Sequence, residues 1–422
     1  MYDQSFCIKT LERVLQKRDF FGITTPAAQK AFRDDVLSKA VISAKSNFGK
    51  PSIPLIKFPL NGRTIFSLPN LSDELVARKL CENIKRAKKV TTSGRSQIVS
   101  NLRLLLEEGV PYRTYRLDIK SFYESFKQPD VLFAVNELSR LSPQSKNLLT
   151  GLLSCHTHMG GQGIPRGLSL SAALSDLLMQ DFDLEVQSAG DVFFYSRYVD
   201  DIIVVTSSRE DPLIFIKWIE KKLPIGLQLN PTKKQIVSAP NRVSPTKATE
   251  TITELFKFDY LGYAFLVDEP VKDSQTRPGD HRRSVTVDIA HKKIKRFKTR
   301  ISRSFFEFSR TGDWSLLKDR VKFLTKNFSV YNVKAGGKKI AGIFHSYPLT
   351  SENAEGLRVL DDFLRNAILS KNGRISAMSS PKLKAQQKRE LLAHSFVRGH
   401  KEKSFVHFSG MRIHEIQSCW IN

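Results

Sequence analysis

Asp200 and Asp201 are adjacent carboxylates between two apolar runs, Val192-Phe193-Phe194-Tyr195 before them and Ile202-Ile203-Val204-Val205 after. Short runs of β-branched and aromatic residues read as buried strands, so the pair is expected at the tip of a hairpin. Two carboxylates that close to a core are unfavourable unless something compensates their charge. Coordination of a divalent cation by oxygen donors is the chemistry such a pair can supply. A third carboxylate, Asp118, ends the strand-like segment Tyr115-Arg116-Leu117-Asp118-Ile119. If that strand lies beside the hairpin, three carboxylates gather at one edge of a small sheet. Such a set holds two Mg²⁺ ions about 4 Å apart, one activating a hydroxyl nucleophile and one steadying a phosphate leaving group.

Several elements must position these groups. Residues 55–58 and 63–68 form a hairpin across Asn61-Gly62, a strong two-residue turn signal. Residues 71–109 read as helical, with Leu75, Val76, Leu80 and Ile84 on one face. Residues 129–153 read as helix, 160–167 as a glycine-rich loop, and 168 to about 186 as helix again. A further helix is expected over 211–223, with Leu213, Ile216 and Ile219 inward. Strands are expected at 227–230 and 258–263, and loops at 240–254 and 268–281. A helix then begins near Asp288, read as its N-cap. Ile294, Phe297, Ile301 and Phe305 give it an apolar stripe, and Lys292, Lys293, Lys295, Arg296, Lys298, Arg300 and Arg303 load its other faces. Like charges on neighbouring turns repel, and backbone phosphates would relieve them.

Composition says what a metal centre would act on. The 422 residues carry a formal net charge of +25, and 41% are hydrophobic. That excess predicts a polyanionic partner, and the apolar share permits a sizeable core. Cys7, Cys81, Cys155 and Cys419 are scattered without a CxxC pair, which argues against structural zinc and fits a reducing compartment. Cys155-His156-Thr157-His158 reads as a helix end before the turn at Gly160-Gly161 rather than as a metal cluster. The N-terminus does not read as a signal peptide, and no apolar run reaches the roughly 18 residues of a membrane span. The expectation is a soluble, cytoplasmic protein without a membrane partner.

In order along roughly 55–305, the sequence resembles the bacterial reverse transcriptases. Leu117-Asp118-Ile119 with Phe122-Tyr123 resembles their first catalytic motif. Gly163-Ile164-Pro165-Arg166-Gly167 with Ser169 and Ser171 resembles their glycine-rich B motif, and Arg197-Tyr198-Val199-Asp200-Asp201 their catalytic hairpin. Leu229-Asn230 with Lys233 resembles the motif that follows, and Tyr260-Leu261-Gly262 the primer grip. The resemblance implies an α+β right-hand polymerase fold: fingers, a palm with a small antiparallel sheet, a helical thumb, and a helical C-terminal extension. It implies a helical N-terminal extension over 1–50, fingers over 51–114, and a palm over 115–267 that carries a fingers segment at about 127–165. The thumb falls over 280–345 and the C-terminal helical region over 346–422. Asp118, Asp200 and Asp201 become the catalytic and metal-binding carboxylates, with the Ile119 carbonyl a fourth metal ligand. Lys57, Arg63, Tyr123, Arg166 and Lys233 become nucleotide-binding residues, Tyr123 as the ring that excludes a ribose 2′-hydroxyl. Tyr198, Leu261, Gly262, Lys292, Lys293, Arg296 and Arg300 become nucleic-acid contacts. One departure stands out: the family's B motif commonly has glutamine where this chain has Arg166.

The implied activity is RNA-directed DNA polymerisation with two Mg²⁺ ions, deoxynucleoside triphosphates and an RNA template. No ribonuclease H segment, HNH-type cluster or zinc-ligand set is read in the chain. The Asn-Ala-x-x-His element and Val-Thr-Gly triplet of retron enzymes are not found. What remains resembles the stand-alone defence-associated (antiphage) group, with the type 2 class the nearest match, copying a structured noncoding RNA as a monomeric ribonucleoprotein. A template-independent or protein-primed DNA polymerase of the abortive-infection type and a retron-like enzyme are the alternatives.

Overall fold

The computed structural model describes residues 2–20, 23, 25–48, 55–60, 62–88, 94–241, 253–269, 282–332, 337–370, 373–379 and 382–421. Asn61 and most of the expected loops at 240–254 and 268–281 lie outside them. By its contacts the chain divides into two compact units, Met1–Ser93 with Pro111–Pro240, and Gly94–Val110 with Asn241–Asn422.

The first unit is built on the strands that carry the carboxylates. Its hairpin pairs β1 (Ile56–Leu60) with β2 (Arg63–Ser67). Four more strands, β3 (Tyr112–Asp118), β4 (Val192–Tyr198), β5 (Asp201–Thr206) and β6 (Gln235–Ala239), form an antiparallel sheet in the order β4-β5-β3-β6. Ile202, Ile203, Val204 and Val205 are all fully buried, so β5 is covered on both faces, and this accounts for a continuous apolar run in place of alternation. Helices supply the cover, and three of them start at a side-chain cap. Asn70 accepts from Asp73 N ahead of Leu71–Ala87, and Ser142 accepts from Ser145 N ahead of Pro143–His158. Asp211 accepts from Leu213 N and Ile214 N ahead of Pro212–Lys222. Proline at the first turn costs no hydrogen bond there. Leu11 and Leu37, from the helices Ile8–Glu12 and Pro26–Lys45, share one core with Leu75, Leu117 and Val204.

Several expected elements are subdivided. The helical stretch 71–109 is two helices, Leu71–Ala87 and Arg95–Leu106, and 129–153 is likewise two, Gln128–Asn136 and Pro143–His158. The helix expected over 168–186 breaks at Met179 into Ser171–Leu178 and Gln180–Gln187. Leu213, in the first turn, is exposed rather than inward; Phe215, Ile216 and Ile219 form the buried face. The strand expected at 227–230 is a single bridge, Ile119 to Leu229. Pro224 and Pro231 bracket it and cannot donate to a ladder. The fourth sheet strand is instead Gln235–Ala239, whose polar first residue hid it.

The second unit holds an antiparallel sheet of β7 (Thr253–Tyr260), β8 (Tyr263–Glu269) and β9 (Ser284–Ile289) in that order. The strand expected at 258–263 is thus the tip of a hairpin, turning at Leu261-Gly262, where both residues have positive φ. The region 280–345 is helical over His291–Thr311 and Trp314–Thr325, then turns to strands β10 (Asn327–Asn332) and β11 (Gly337–Gly342). β10 also pairs with β12 (Phe405–Val406), a short strand within the region expected to be helical. The alternation in Asn327-Phe328-Ser329-Val330-Tyr331-Asn332 is a period-2 pattern that favours strand.

Asp288 does not cap the helix His291–Thr311, whose N-cap is Ala290. It lies within β9, where one oxygen accepts from Ile289 N at 2.6 Å and the other from Gly356 N at 2.9 Å, at the start of the helix Gly356–Leu369. The side chain therefore stabilises a helix some seventy residues away rather than the next one. Asp288→Ala is expected to lower the unfolding free energy of this unit by about 1 kcal/mol. Hydrogen exchange across Asp288→Ala should rise at the amides of 356–360 and stay unchanged at those of 291–295.

Candidate active site

Register decides the site. β3 runs antiparallel to β5 with Asp118 opposite Asp201 and Leu117 opposite Ile202. Directly opposed residues share a face of the sheet, so these two carboxyls emerge together. Tyr198 pairs with Asp201 across a two-residue turn of Val199 and Asp200, and Asp200 O accepts from Ile119 N at 3.0 Å. All three expected carboxylates thus meet at one end of one sheet, beside the Ile119 backbone.

Their electrostatics are those of an anionic cluster. Burial, and then the charges of Asp200 and Asp118 working against Arg116, push the Asp201 carboxyl from 3.8 up to about 6. Asp118 is buried and already engaged, with one oxygen accepting from Asn230 Nδ2 at 3.1 Å and the other from Lys233 Nζ at 2.8 Å. Asn230 N also donates to Asp118 O at 2.7 Å. Lys233 is half exposed on the short turn Pro231–Lys233, and Asn230 caps that turn through Thr232 N. Among the described residues no group of three or more His, Cys, Asp or Glu is arranged to hold a metal ion. The donor set fits a hard divalent cation all the same: it is all oxygen, and its surplus negative charge appears as the raised Asp201.

A residue given no role from sequence holds the turn in place. Arg197 is buried, and its guanidinium donates to Asp183 Oδ1 at 2.8 Å, to Asp183 Oδ2 at 2.7 Å and to Asp176 Oδ1 at 3.3 Å. Its remaining arm donates to Val199 O at 3.1 Å. Tyr195 adds its hydroxyl to Asp183 at 2.5 Å. Burial works against the charged guanidinium, and the Asp183 contacts more than offset it, holding its pKa above the ordinary value. Val199 has φ +61, a left-handed conformation that is unfavourable for a β-branched residue by roughly 1–2 kcal/mol. The Arg197 contact over-determines that strained turn. The available signal was a lone arginine inside an apolar strand, preceded by acidic residues on two helices.

Beside this edge, Lys57, Arg63, Glu124, Arg166, His156 and Gln162 line a cleft of about 320 Å³. Lys57 and Arg63 come from β1 and β2 and are exposed. Tyr123 and Arg166 come together through the glycine-rich loop. Ile164 N donates to Tyr123 O at 2.8 Å, and Phe66 N donates to Arg166 O at 2.8 Å. A Cβ at Gly163 would stand 2.2 Å from Tyr123 O, and one at Gly167 would stand 2.6 Å from Phe66 O. Both have positive φ, so only glycine lets this loop bind the hairpin on one side and the Tyr123 segment on the other. His156 is buried with its ring edge-on to Phe66 at 4.5 Å, at the end of the helix Pro143–His158, which agrees with its reading as a structural residue.

Tyr198 is exposed at the hairpin tip. Leu261 and Gly262 form their turn in the second unit, where Arg95 Nε donates to Leu261 O at 2.8 Å while its guanidinium covers the Tyr263 ring at 4.8 Å. Lys292, Lys293, Arg296 and Arg300 lie on the helix His291–Thr311, and among the described residues none of the four contacts a carboxylate. Burial and then Arg296 hold both the Lys293 and Arg300 pKa values below the ordinary range, as expected of crowded like charges. Arg300 also lies over the Trp420 ring at 5.1 Å. Among the described residues no helix is long and apolar enough to cross a membrane.

The chain is similar to known proteins chiefly over its carboxylate-bearing part. Residues 79–265 match the family model described as reverse transcriptase (RNA-dependent DNA polymerase). Two solved structures of telomerase from Candida Tropicalis align with it at a TM-score of 0.34. Apo telomerase truncated from its C-terminal domain is 14% identical over 53% of this chain and 55% of that one. Apo telomerase is 13% identical over 86% of this chain and 64% of that one. The chain thus spans between half and two thirds of the length of those structures. No curated protein sequence matches it. The fold is α+β with small antiparallel sheets. The span that matches the reverse transcriptase model, residues 79–265, contains Asp118, Asp200 and Asp201.

Proposed function

We propose that this polymerase copies a bound RNA into DNA at the edge formed by Asp118, Asp200 and Asp201. The register that sets Asp118 opposite Asp201, next to the Asp200 turn, is the observation that carries the reading. Asp118, Asp200, Asp201 and the Ile119 carbonyl would hold two Mg²⁺ ions, whose chemistry is to activate a primer 3′-hydroxyl and neutralise the triphosphate. The chain's own residues do the rest. Lys57 and Arg63 bind triphosphate oxygens at the mouth of the cleft. Lys233, half exposed and donating to Asp118, would supply the ammonium that gives a proton to departing pyrophosphate. Tyr123 closes the floor against a 2′-hydroxyl. Tyr198, the Leu261-Gly262 turn and the cations of His291–Thr311 bind the nucleic-acid backbone.

The biological setting is part of the same proposal. The motif set and the net charge of +25 support a stand-alone antiphage enzyme of the type 2 defence class, cytoplasmic, acting as a monomer bound to a structured noncoding RNA. Sequencing the RNA and DNA that co-purify with the protein tests this. DNA complementary to a bound RNA is the expected result. Untemplated or protein-linked DNA would replace this reading with the protein-primed one.

Asp200→Ala is expected to reduce primer extension by at least about 10³-fold while the protein stays folded, since a charge partner to the cation is lost. Primer extension within tenfold of the parent would remove Asp200 from the site.

The raised Asp201 carboxyl makes a second expectation, with a definite sign. A carboxyl whose folded value is raised stabilises the fold fully below its unfolded value, near 3.8, and that contribution is lost as pH rises through about 6. Ionised Asp201 therefore works against the fold near neutral pH, and a bound divalent cation relieves it. Mg²⁺ should raise the thermal midpoint more at about pH 7.5 than at about pH 5.5, where competition with the proton weakens binding by about fourfold. Asp201→Asn should abolish the pH dependence; an equal Mg²⁺ shift at both pH values would contradict the assignment.

A further inference from the structure

The cleft between β2 and the glycine-rich loop contains one carboxylate that the reaction does not call for. Its cations, Lys57, Arg63 and Arg166, suit a triphosphate, but Glu124 lines the same space. A carboxylate beside polyphosphate is repulsive unless it is committed to another partner. Glu124 is so committed: Arg166 Nε donates to its Oε1 at 2.8 Å and Nη2 to its Oε2 at 3.0 Å, a two-pronged fork. Burial raises the Glu124 carboxyl, and the Arg166 bonds more than offset this, keeping it below the ordinary range.

Stability is a weak reason for this pair. Its side chains are 19% and 37% exposed, and ion pairs at that exposure contribute roughly 0–1 kcal/mol. Its geometry points elsewhere. The forked guanidinium is held over the Tyr123 ring, 4.9 Å from the centroid. The Tyr123 backbone is pinned by Ile164 N, and its hydroxyl end lies near Ser175 and within electrostatic reach of Asp200. The residue is thus held at its backbone and at the face of its ring. Only a planar, forked cation can bind a carboxylate edge-on and an aromatic ring face-on together.

We propose that Arg166, locked by Glu124, is a specificity-determining positioning residue that holds the Tyr123 ring against the sugar of the incoming nucleotide and so sets discrimination against ribonucleotides. This rests on the reading of Tyr123 as the ribose gate, and it assigns the work of that gate to three residues. Free to tilt, the Tyr123 ring would make room for a 2′-hydroxyl. Held by the guanidinium, it does not.

The test measures kcat/KM for dTTP against ribothymidine triphosphate, which differs only in its 2′-hydroxyl, on poly(rA) primed with oligo(dT). Tyr123→Ala should raise ribonucleotide use and establishes the gate. Glu124→Gln and Arg166→Gln should each lower the preference for dTTP by about tenfold, the size expected when a cation–π contact of about 1–2 kcal/mol is lost. The change should include a gain in ribonucleotide kcat/KM, which damage to the fold cannot produce. Arg166→Lys, which keeps the charge without the fork, should behave like Arg166→Gln and serves if either glutamine variant is poorly folded. Glu124→Gln added to Tyr123→Ala should change the preference less than twofold, because both act through one ring. If Tyr123→Ala relaxes discrimination while the Glu124 and Arg166 variants retain the parental preference, the inference fails and the gate stands. If Tyr123→Ala itself has no effect, the gate reading fails and this inference fails with it.

Discussion

The packing of β3 against β5 puts carboxylates where a folded protein would ordinarily avoid them. Leu117 and Ile202 lie in the covered interior, and the next residue pair along the ladder is Asp118 and Asp201. A slip of one residue would turn Asp118 to the other face, so the apolar run of β5 fixes the chemistry as well as the core. The cost appears as the Asp201 carboxyl driven up to about 6 by burial and by its acidic neighbours. Much else in the first unit can be understood as a response to that cost. Lys233 and Asn230 take the two oxygens of Asp118, and Arg197 neutralises Asp183 while it holds Val199 O.

These responses divide into exchangeable and permanent ones. Lys233 is a flexible, half-exposed ammonium and can yield its place. Arg197 is buried within two aspartates and a tyrosine-supported network, so it is fixed. The proposed uptake and release of cations and phosphates needs both kinds. The turn must stay strained and still while the charge compensating Asp118 changes. The Arg166–Glu124 fork is of intermediate kind: forked and well aligned, yet partly exposed to the cleft it borders.

The carboxylate edge was legible from sequence because its signal is local. A hairpin between two apolar strands, and a strand ending in aspartate, are patterns within a few residues. The hairpin at Gly62 was legible for the same reason. What was missed depends on long-range pairing. β6 begins with glutamine and joins the sheet only because β3 offers a free edge. Asp288 reads as the cap of the next helix, yet it serves Gly356. Leu213 reads as inward by its spacing from Ile216 and Ile219, yet it lies in the first turn and is exposed. Arg197 and Glu124 were passed over because a charge beside a motif reads as solvated surface until its partners, Asp183 and Arg166, are brought up from elsewhere in the chain.

That contrast bears on how substrate choice is built. The residues that do the chemistry must be oxygen donors at a fixed end of a fixed sheet, so their identities are narrowly constrained. The residues that hold them need only present a charge or a planar fork from whichever element lies nearby. At Arg166 the resemblance would lead one to expect a neutral amide, which cannot compensate a carboxylate. The chain instead has an arginine together with Glu124, and the two make sense only as a pair. Replacing the amide alone would add an uncompensated cation above the Tyr123 ring; adding Glu124 alone would place an uncompensated anion in the cleft that Lys57 and Arg63 line. The joint presence of both, locked through Gly163 and Gly167 to the hairpin and to Tyr123, is the geometry on which the proposed role of the pair rests, since stability alone does not account for it.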